Sequence, residues 1–494
     1  MLTLLEVLRQ RAERDGERVM FDFEDRSFTY RDVHARASEW QVRLAGAGVT
    51  PGARVALLSG NRPEFVFAVY GALQRGASVV LCSPAWKATE IAHACGIVGP
   101  ALGVGDATGC ATFAEAVPEL PRLSLEDSGP LTEPDNEERG AADPDADAVL
   151  VFSSGTTGLP KAVRHTHRSM GHAVEHWITA LGLSGADRFQ IATPPVHILG
   201  LLNIVTAVAA GARFRLHTRF DLDASLRAVQ DERLTLEMAV APIALGMANH
   251  PELEAFDLSS LRYVMWGATP VAEEVARTVS QRSGVRWLPA YGTSEVPVIA
   301  CNPVQEPGRW RLDSVGLPVP GVQVRIVDPE HGAVVDPGTT GEIEVLSPSA
   351  MAGYLPESAT AAAFRDGWYR TGDIGWVEPE GWLHITDRLK EMVKVRGFQV
   401  APAEIEAVLH ADARVRDCAV FGVDDPELGE AIVAAVALVD GETVSAEELQ
   451  DAVASQLAGY KRIRHVVFVD EIPRLPSGKA LRRQLKEQWL ASQP

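Results

Sequence analysis

Val151-Phe152-Ser153-Ser154-Gly155-Thr156-Thr157-Gly158-Leu159-Pro160-Lys161 is the stretch around which this chain is organised. Ser153, Ser154, Thr156 and Thr157 place hydroxyls beside Gly155 and Gly158, and Lys161 follows at once. The apolar run Ala148–Phe152 leads into it and predicts a buried strand. A loop of this composition has few bulky side chains and many free backbone N–H groups. Successive N–H groups form a nest for anions, so the loop suits phosphate oxygens. It is not a Walker A loop: Gly-x-x-x-x-Gly-Lys-Ser/Thr is absent and proline precedes the lysine. The plain alternative is a Ser/Thr/Gly turn between two elements, and the rest of the chain has to decide.

With 494 residues the chain is too long for one core, so at least two domains are expected. Hydrophobic residues at 46% and charged residues at 23% are ordinary for a globular protein. A formal net charge of −20 argues against nucleic acid or an anionic membrane surface as partner. A phosphate site must then be a local basic feature on an acidic body. Cysteines 82, 95, 110, 301 and 418 are scattered and form no Cys-x-x-Cys, which predicts neither a disulfide framework nor a zinc ribbon. No apolar run reaches the length of a membrane span and no signal-peptide core opens the chain, so a cytoplasmic location is expected.

Along the chain, helical and strand patterns alternate, which predicts parallel sheets covered by helices. Val33, Ala37, Trp40 and Leu44 form one helix face, Arg54–Ser59 and Ala77–Leu81 read as strands, and Pro63–Arg75 reads as a helix starting on proline. Gly103–Gly109 has glycines near dinucleotide-loop spacing, but the spacing is off by one and no βαβ unit is expected after it. His172-Ala-Val-Glu-His176, on a predicted helix, matches a zinc-peptidase pattern. The competing reading of these histidines is a solvated or half-buried pair on a helix face. Thr193-Pro-Pro-Val-His197 is a turn delivering His197 into an apolar setting. Two predicted strands, Tyr263–Trp266 and Val285–Ala290, end in Gly267-Ala268-Thr269-Pro270 and Tyr291-Gly292-Thr-Ser294-Glu295, where open α/β sheets hold ligands. Residues 314–381 are rich in strands and turns and close on Tyr369-Arg-Thr-Gly-Asp373. A boundary falls at Asp387-Arg-Leu-Lys390, dividing the chain into residues 1–387 and a compact unit, 388–494.

Taken together these boxes resemble the adenylate-forming superfamily of acyl-CoA synthetases, adenylation domains and luciferases. The resemblance is closest to the 4-coumarate–CoA ligase and luciferase-like branch, through Asp387-Arg-Leu-Lys-Glu-Met-Val-Lys-Val-Arg-Gly-Phe-Gln-Val-Ala-Pro-Ala-Glu-Ile-Glu406, Tyr460-Lys-Arg-Ile-Arg464 and Pro476-Ser-Gly-Lys479. It implies an α/β fold: a large N-terminal domain of parallel sheets with a β-rich subdomain, and a small mobile α+β domain. It further implies activation of an apolar carboxylic acid, aryl or medium-chain aliphatic, by ATP with Mg²⁺, and transfer to coenzyme A or to a separate carrier protein.

Carried over residue by residue, the resemblance puts Ser153 to Gly158 and Lys161 on the β- and γ-phosphates. Gly267, Ala268 and Thr269 would stand beside the adenine and Tyr291 would stack on it. Ser294, where the family usually has threonine, would meet the α-phosphate, and Glu295 the metal. Asp373, helped by Arg388, would hold the ribose, and Lys479 would bridge the two reacting anions. His197, Ile198, Leu199, Trp266, Gly292, Pro297 and Val298 would line the acyl pocket. Trp266 is the open position among them: it either shortens that pocket or packs within the sheet core. Lys390 would be the hinge, bringing Lys394, Arg396 and Gly397 to coenzyme A, with Lys461 and Arg462 as further phosphate candidates.

Overall fold

The computed structural model describes residues 3–127, 143–153, 160–267, 273–389, 391–395, 398–474 and 478–492. Early in the chain the helix Tyr30–Gly46 buries Val33, Ala37, Trp40 and Leu44, the predicted stripe. Thr29 and Asp32 satisfy each other's backbone N–H groups at its start. The helix Pro63–Gln74 begins on proline and is buried at every position but Glu64, because it is covered by Tyr30–Gly46. The outer helix Tyr30–Gly46 keeps a polar face with Arg31, Asp32 and Arg36 toward solvent, and the inner one has almost none.

The Ser/Thr/Gly stretch leaves a sheet of seven strands in the order Gly353–Leu355, Lys161–Thr166, Asp147–Ser153, Ser78–Cys82, Arg54–Leu58, Leu102–Gly105 and Arg122–Ser124. From Asp147–Ser153 onward the strands are parallel, whereas Lys161–Thr166 runs antiparallel to Asp147–Ser153. Ser153 and Lys161 are opposed in register, so the stretch between them is closed at its base by a hairpin. A second sheet sets Glu237–Ala239, Val264–Trp266 and Trp287–Tyr291 parallel, then adds Ala300–Cys301 and Leu317–Pro318 antiparallel. A third joins Arg26–Thr29, Val19–Phe23, Arg213–Leu216 and Arg188–Ile191. The β-rich segment forms an antiparallel sheet in which Trp368–Val377 pairs with both Gly341–Leu346 and Leu383–Arg388.

One expectation is corrected here. Leu102–Gly105, the helix Ala107–Ala116 and Arg122–Ser124 do make a parallel βαβ unit. Its glycines serve packing: a Cβ on Gly109 would lie 2.2 Å from the carbonyl oxygen of Leu58, so only glycine lets the helix close on the sheet.

Beyond Arg388 a separate hydrophobic core begins at Val393 and runs to Leu485. Its sheet holds Phe398–Val400, Val393–Val395, Gly429–Leu438 and Val415–Asp425, with His465–Phe468 beside Gly429–Leu438, and the helix Pro402–His410 packs on Val415–Asp425. No described helix is long and apolar enough to cross a membrane.

Candidate active site

The strands Val264–Trp266 and Trp287–Tyr291 are parallel neighbours, so their C-terminal ends open on the same side. Tyr291 closes its strand with its ring buried, and its hydroxyl donates to Asp373 Oδ2. Asp373 is 3% exposed and lies directly across the ladder from Arg388, whose Nε reaches Asp373 Oδ1 at 2.8 Å. Burial pushes the Asp373 carboxyl above its ordinary value, while Arg388 and the Tyr291 hydroxyl pull against that shift. The result is a carboxylate fixed from two sides at the end of a strand, a rigid acceptor for paired hydroxyls.

After Tyr291 the chain makes a tight turn. Thr293 N–H donates to the carbonyl of Val296, and the Thr293 hydroxyl accepts from Val296 N–H at 3.0 Å. A Cβ on Gly292 would meet the Pro297 carbonyl oxygen at 2.1 Å, so the turn closes only with glycine. Ser294 and Glu295 stand at its tip and are held from outside. His165, fully buried on the strand Lys161–Thr166, places Nε2 2.7 Å from the Ser294 carbonyl. Met351 N–H donates to the Glu295 carbonyl at 2.8 Å, and the Tyr354 hydroxyl donates to Glu295 Oε1 at 2.7 Å. Glu295 is 7% exposed. The ammonium of Lys161, at the base of the Ser/Thr/Gly stretch, lies 5.5 Å from the centre of the Tyr354 ring. His165, Tyr354 and Met351 all sit far in sequence from the turn they hold, and motif reading had not singled them out.

Lys479 comes from the small unit. Its Nζ pairs with Glu391 Oε1 at 2.8 Å, and its charge is near enough to Asp373 to favour that residue's ionised form. Burial alone would raise Glu391, but Arg482 and Lys479 outweigh it and hold the carboxyl below its usual range. Glu391 also takes Arg482, which in turn holds Glu406. The strand Val393–Val395 exposes Lys394, whereas Lys461 is engaged by Glu404.

His197 caps the helix Ile198–Ala210. Its Nδ1 accepts from Leu199 N–H at 3.3 Å, which leaves the proton on Nε2. Burial lowers its pKa, so the ring is neutral and Nε2–H is a donor. Ile198 and Val298 are buried in the large core and Leu199 is packed against it. Trp266 is corrected. It is 1% exposed and packs edge-on against Trp287, centroids 5.3 Å apart, in the cluster between the sheet and the helices Leu222–Glu232, Ala241–Ala248 and Glu273–Ser283. Val298, Leu288 and Met265 belong to the other core. Trp266 thus takes the core packing that was the second of its two readings.

The zinc reading also fails. His172 and His176 share a helix face with rings 6.3 Å apart, but among the described residues no group of three His, Cys, Asp or Glu side chains could hold a metal ion. Burial lowers His176 to about 4 and keeps it neutral. Ser154, Gly155, Thr156, Thr157, Gly158, Ala268, Thr269, Lys390, Arg396 and Gly397 lie outside the described residues.

Comparison with known proteins agrees with this geometry. Residues 8–355 match the family model described as AMP-binding enzyme, and residues 404–479 match the AMP-binding enzyme C-terminal domain. A 4-coumarate–CoA ligase of Oryza sativa subsp. japonica is 34% identical over 93% of this chain and 87% of its own length. One from Petroselinum crispum is 34% identical over 93% and 89%. Among solved structures, an amide bond synthetase from Marinactinospora thermotolerans superposes with a TM-score of 0.89 at 31% identity, covering 98% of this chain and 99% of its own. The o-succinylbenzoate CoA synthetase of Bacillus subtilis, solved with its acyl-adenylate intermediate, gives 0.87 at 29% identity, covering 97% of each chain. With the strand-end carboxylate, the clamped Ser294–Glu295 turn and the lysine of the small unit all in place, the chain belongs to the AMP-binding enzymes, the adenylate-forming family.

Proposed function

We propose that this enzyme joins an apolar carboxylic acid, aryl or medium-chain aliphatic, to the α-phosphate of ATP. Pyrophosphate is released, and the acyl group then passes to the thiol of coenzyme A. The observation that carries the reading is the meeting of Tyr291, Asp373 and Arg388 at one strand end, with Lys479 in electrostatic reach. Two anions have to be brought together before any bond forms, so positioned positive charge should dominate the first step. Lys479 is the mobile source of that charge, and Lys161 with the hydroxyls and N–H groups of residues 153–158 holds the outer phosphates. The fixed carboxylate of Asp373 accepts from the ribose hydroxyls.

Glu295 fits a hard divalent cation, being a buried carboxylate oxygen donor beside the serine at the same turn tip. Mg²⁺ held there on the phosphates would offset their charge. His197 offers Nε2–H as a neutral donor, and Ile198, Leu199, Gly292, Pro297 and Val298 supply no charge for a second carboxylate. For the second step, rotation about Lys390 would carry Lys479 away and bring Lys394, Arg396 and Gly397 to the pantetheine and phosphates of coenzyme A.

A second acceptor class, an amine, is favoured by the likeness to the amide bond synthetase, and a carrier-protein thiol is a third. The deciding experiment is a panel of carboxylic acids with ATP and Mg²⁺, run alone, with coenzyme A, with a simple amine, or with an acyl carrier protein. Acyl-adenylate and final product are detected separately. Pyrophosphate release with apolar acids and thioester only with coenzyme A is the expected pattern. Absence of acyl-adenylate from every arm overturns the reading.

A further inference from the structure

Among the described residues, one of the two carboxylate oxygens of Glu295 is held by a hydrogen bond. Oε1 receives the hydroxyl of Tyr354 at 2.7 Å. Both residues are buried, Tyr354 at 8% exposure and Glu295 at 7%, so the hydrogen bond is shielded from water. Tyr354 is itself fixed. Its strand, Gly353–Leu355, pairs antiparallel with Lys161–Thr166, setting Tyr354 opposite Val163, and its N–H donates to the Thr360 hydroxyl at 2.9 Å. The same ring stands 5.5 Å from the ammonium of Lys161. One side chain therefore touches both the carboxylate at the turn and the lysine at the base of the phosphate stretch, two groups far apart in sequence.

We propose that Tyr354 is a positioning residue for the divalent cation. By occupying Oε1 it locks the rotation of the Glu295 carboxylate and leaves Oε2 as the oxygen for the metal carried on the ATP phosphates. The inference rests on Glu295 being the metal ligand. A carboxylate that must bind a small, geometrically demanding cation through one oxygen gains from a neutral donor on the other. The donor restricts orientation without cancelling the charge the metal needs. A lysine in that place would compete with the metal, whereas a tyrosine hydroxyl does not. The ring also sets Lys161 at a fixed distance from the same site, so metal and lysine approach the phosphates from positions defined by one residue.

The test uses the full-length enzyme and calorimetric titration of Mg²⁺ in the presence of saturating α,β-methylene-ATP. Tyr354→Phe keeps the ring and removes the hydroxyl. Its apparent Mg²⁺ affinity should fall about ten- to a hundred-fold, and adenylation measured by pyrophosphate exchange should recover when Mg²⁺ is raised. Affinity for the analogue without metal should stay at the parental value. Glu295→Gln separates the two layers of the inference. If it leaves Mg²⁺ binding unchanged, the metal-ligand reading falls and the role of Tyr354 falls with it. If it weakens Mg²⁺ binding while Tyr354→Phe does not, only the role of Tyr354 is overturned. The double variant should be no worse than Glu295→Gln alone, since a hydroxyl with no carboxylate to orient contributes nothing. Additive losses would assign Tyr354 an independent structural part. Should Tyr354→Phe melt far below the parent, Tyr354→His, with a ring nitrogen able to donate, must restore Mg²⁺ affinity toward the parental value for the proposal to stand.

Discussion

The two halves of the active site are secured in opposite ways. On the large body, Ser294 and Glu295 are gripped by the buried His165, Met351 and Tyr354, and Asp373 by the buried Tyr291 hydroxyl and by Arg388, the one holder whose side chain is half exposed, at 49%. On the small unit Lys479 is 38% exposed along its side chain and is held by one ion pair to Glu391, a partner it shares with Arg482. Buried, fully satisfied contacts resist rearrangement, whereas a half-exposed ion pair contributes little and exchanges easily. The proposed nucleotide side is therefore held mainly by buried contacts, whereas the lysine proposed to join the anions sits on a contact it can leave.

Breaking the mobile half should have the largest effect. Lys479→Ala is expected to lower adenylate formation about a thousand-fold, while thioester formation from supplied acyl-adenylate keeps most of its rate. Single-turnover assays of the two steps check this, and equal losses would remove the asymmetry. Next in size, Trp266→Ala should cost about 3 kcal/mol of stability in urea unfolding, because it opens a cavity against Trp287. The ratio of catalytic efficiencies for a long and a short acid should not change. A shifted ratio would return Trp266 to the acyl pocket.

On the fixed half, Asp373→Ala should raise the apparent KM for ATP about ten- to a hundred-fold, the range for losing a buried, charged hydrogen-bond acceptor. An unchanged KM would mean that the ribose lies elsewhere. The mobility itself is addressed by Lys390→Pro, which restricts both that residue and the one before it. Adenylate should accumulate and thioester formation fall about ten-fold. Parental thioester rates would move the hinge to another position.

The last expected effect concerns a group outside the site. Glu237 is half-buried, lines a small pocket of mostly apolar side chains and receives Gln190 Nε2 at 2.6 Å. Gln190 Oε1 in turn accepts from His217. Burial pushes the Glu237 carboxyl up to about 8. The folded state therefore keeps a proton that the unfolded chain loses near the ordinary glutamate value. Its contribution is complete below about pH 4.5 and declines as pH rises to about 8. The slope is at most about 1.4 kcal/mol per pH unit. Glu237→Gln should flatten that part of the stability profile between these limits. Identical profiles for parent and variant would place the carboxylate in contact with water.

Much of this was legible in the sequence for physical reasons. Apolar runs such as Ala148–Phe152 and the stripe from Val33 to Leu44 can only be satisfied by burial. The groups proposed to bind at strand ends follow those runs directly, as Tyr291 and Glu295 do. Trp266 was ambiguous because alternation along a three-residue strand says that two faces exist, not which one the pocket uses. Tyr354, His165 and Glu391 escaped notice because their importance lies in partners distant along the chain or in a charge pair no motif encodes. Tyr354 and Glu295 are 59 residues apart. The βαβ unit at Leu102–Ser124 was missed because its strands are short and its glycines looked like a binding loop.

The rung shared by Asp373 and Arg388 has a practical consequence for anyone recombining such enzymes. Arg388 is the last residue of its strand and stands next to the proposed pivot, yet its guanidinium completes the acceptor on the large body. A chimera joined ahead of Arg388 would import a foreign arginine onto a native aspartate and mix two parents within one rung. A junction placed after Arg388 keeps the pair intact and exchanges only the part that turns. The seam for grafting thus lies inside the Asp387-Arg-Leu-Lys390 box, after its arginine and not at its aspartate.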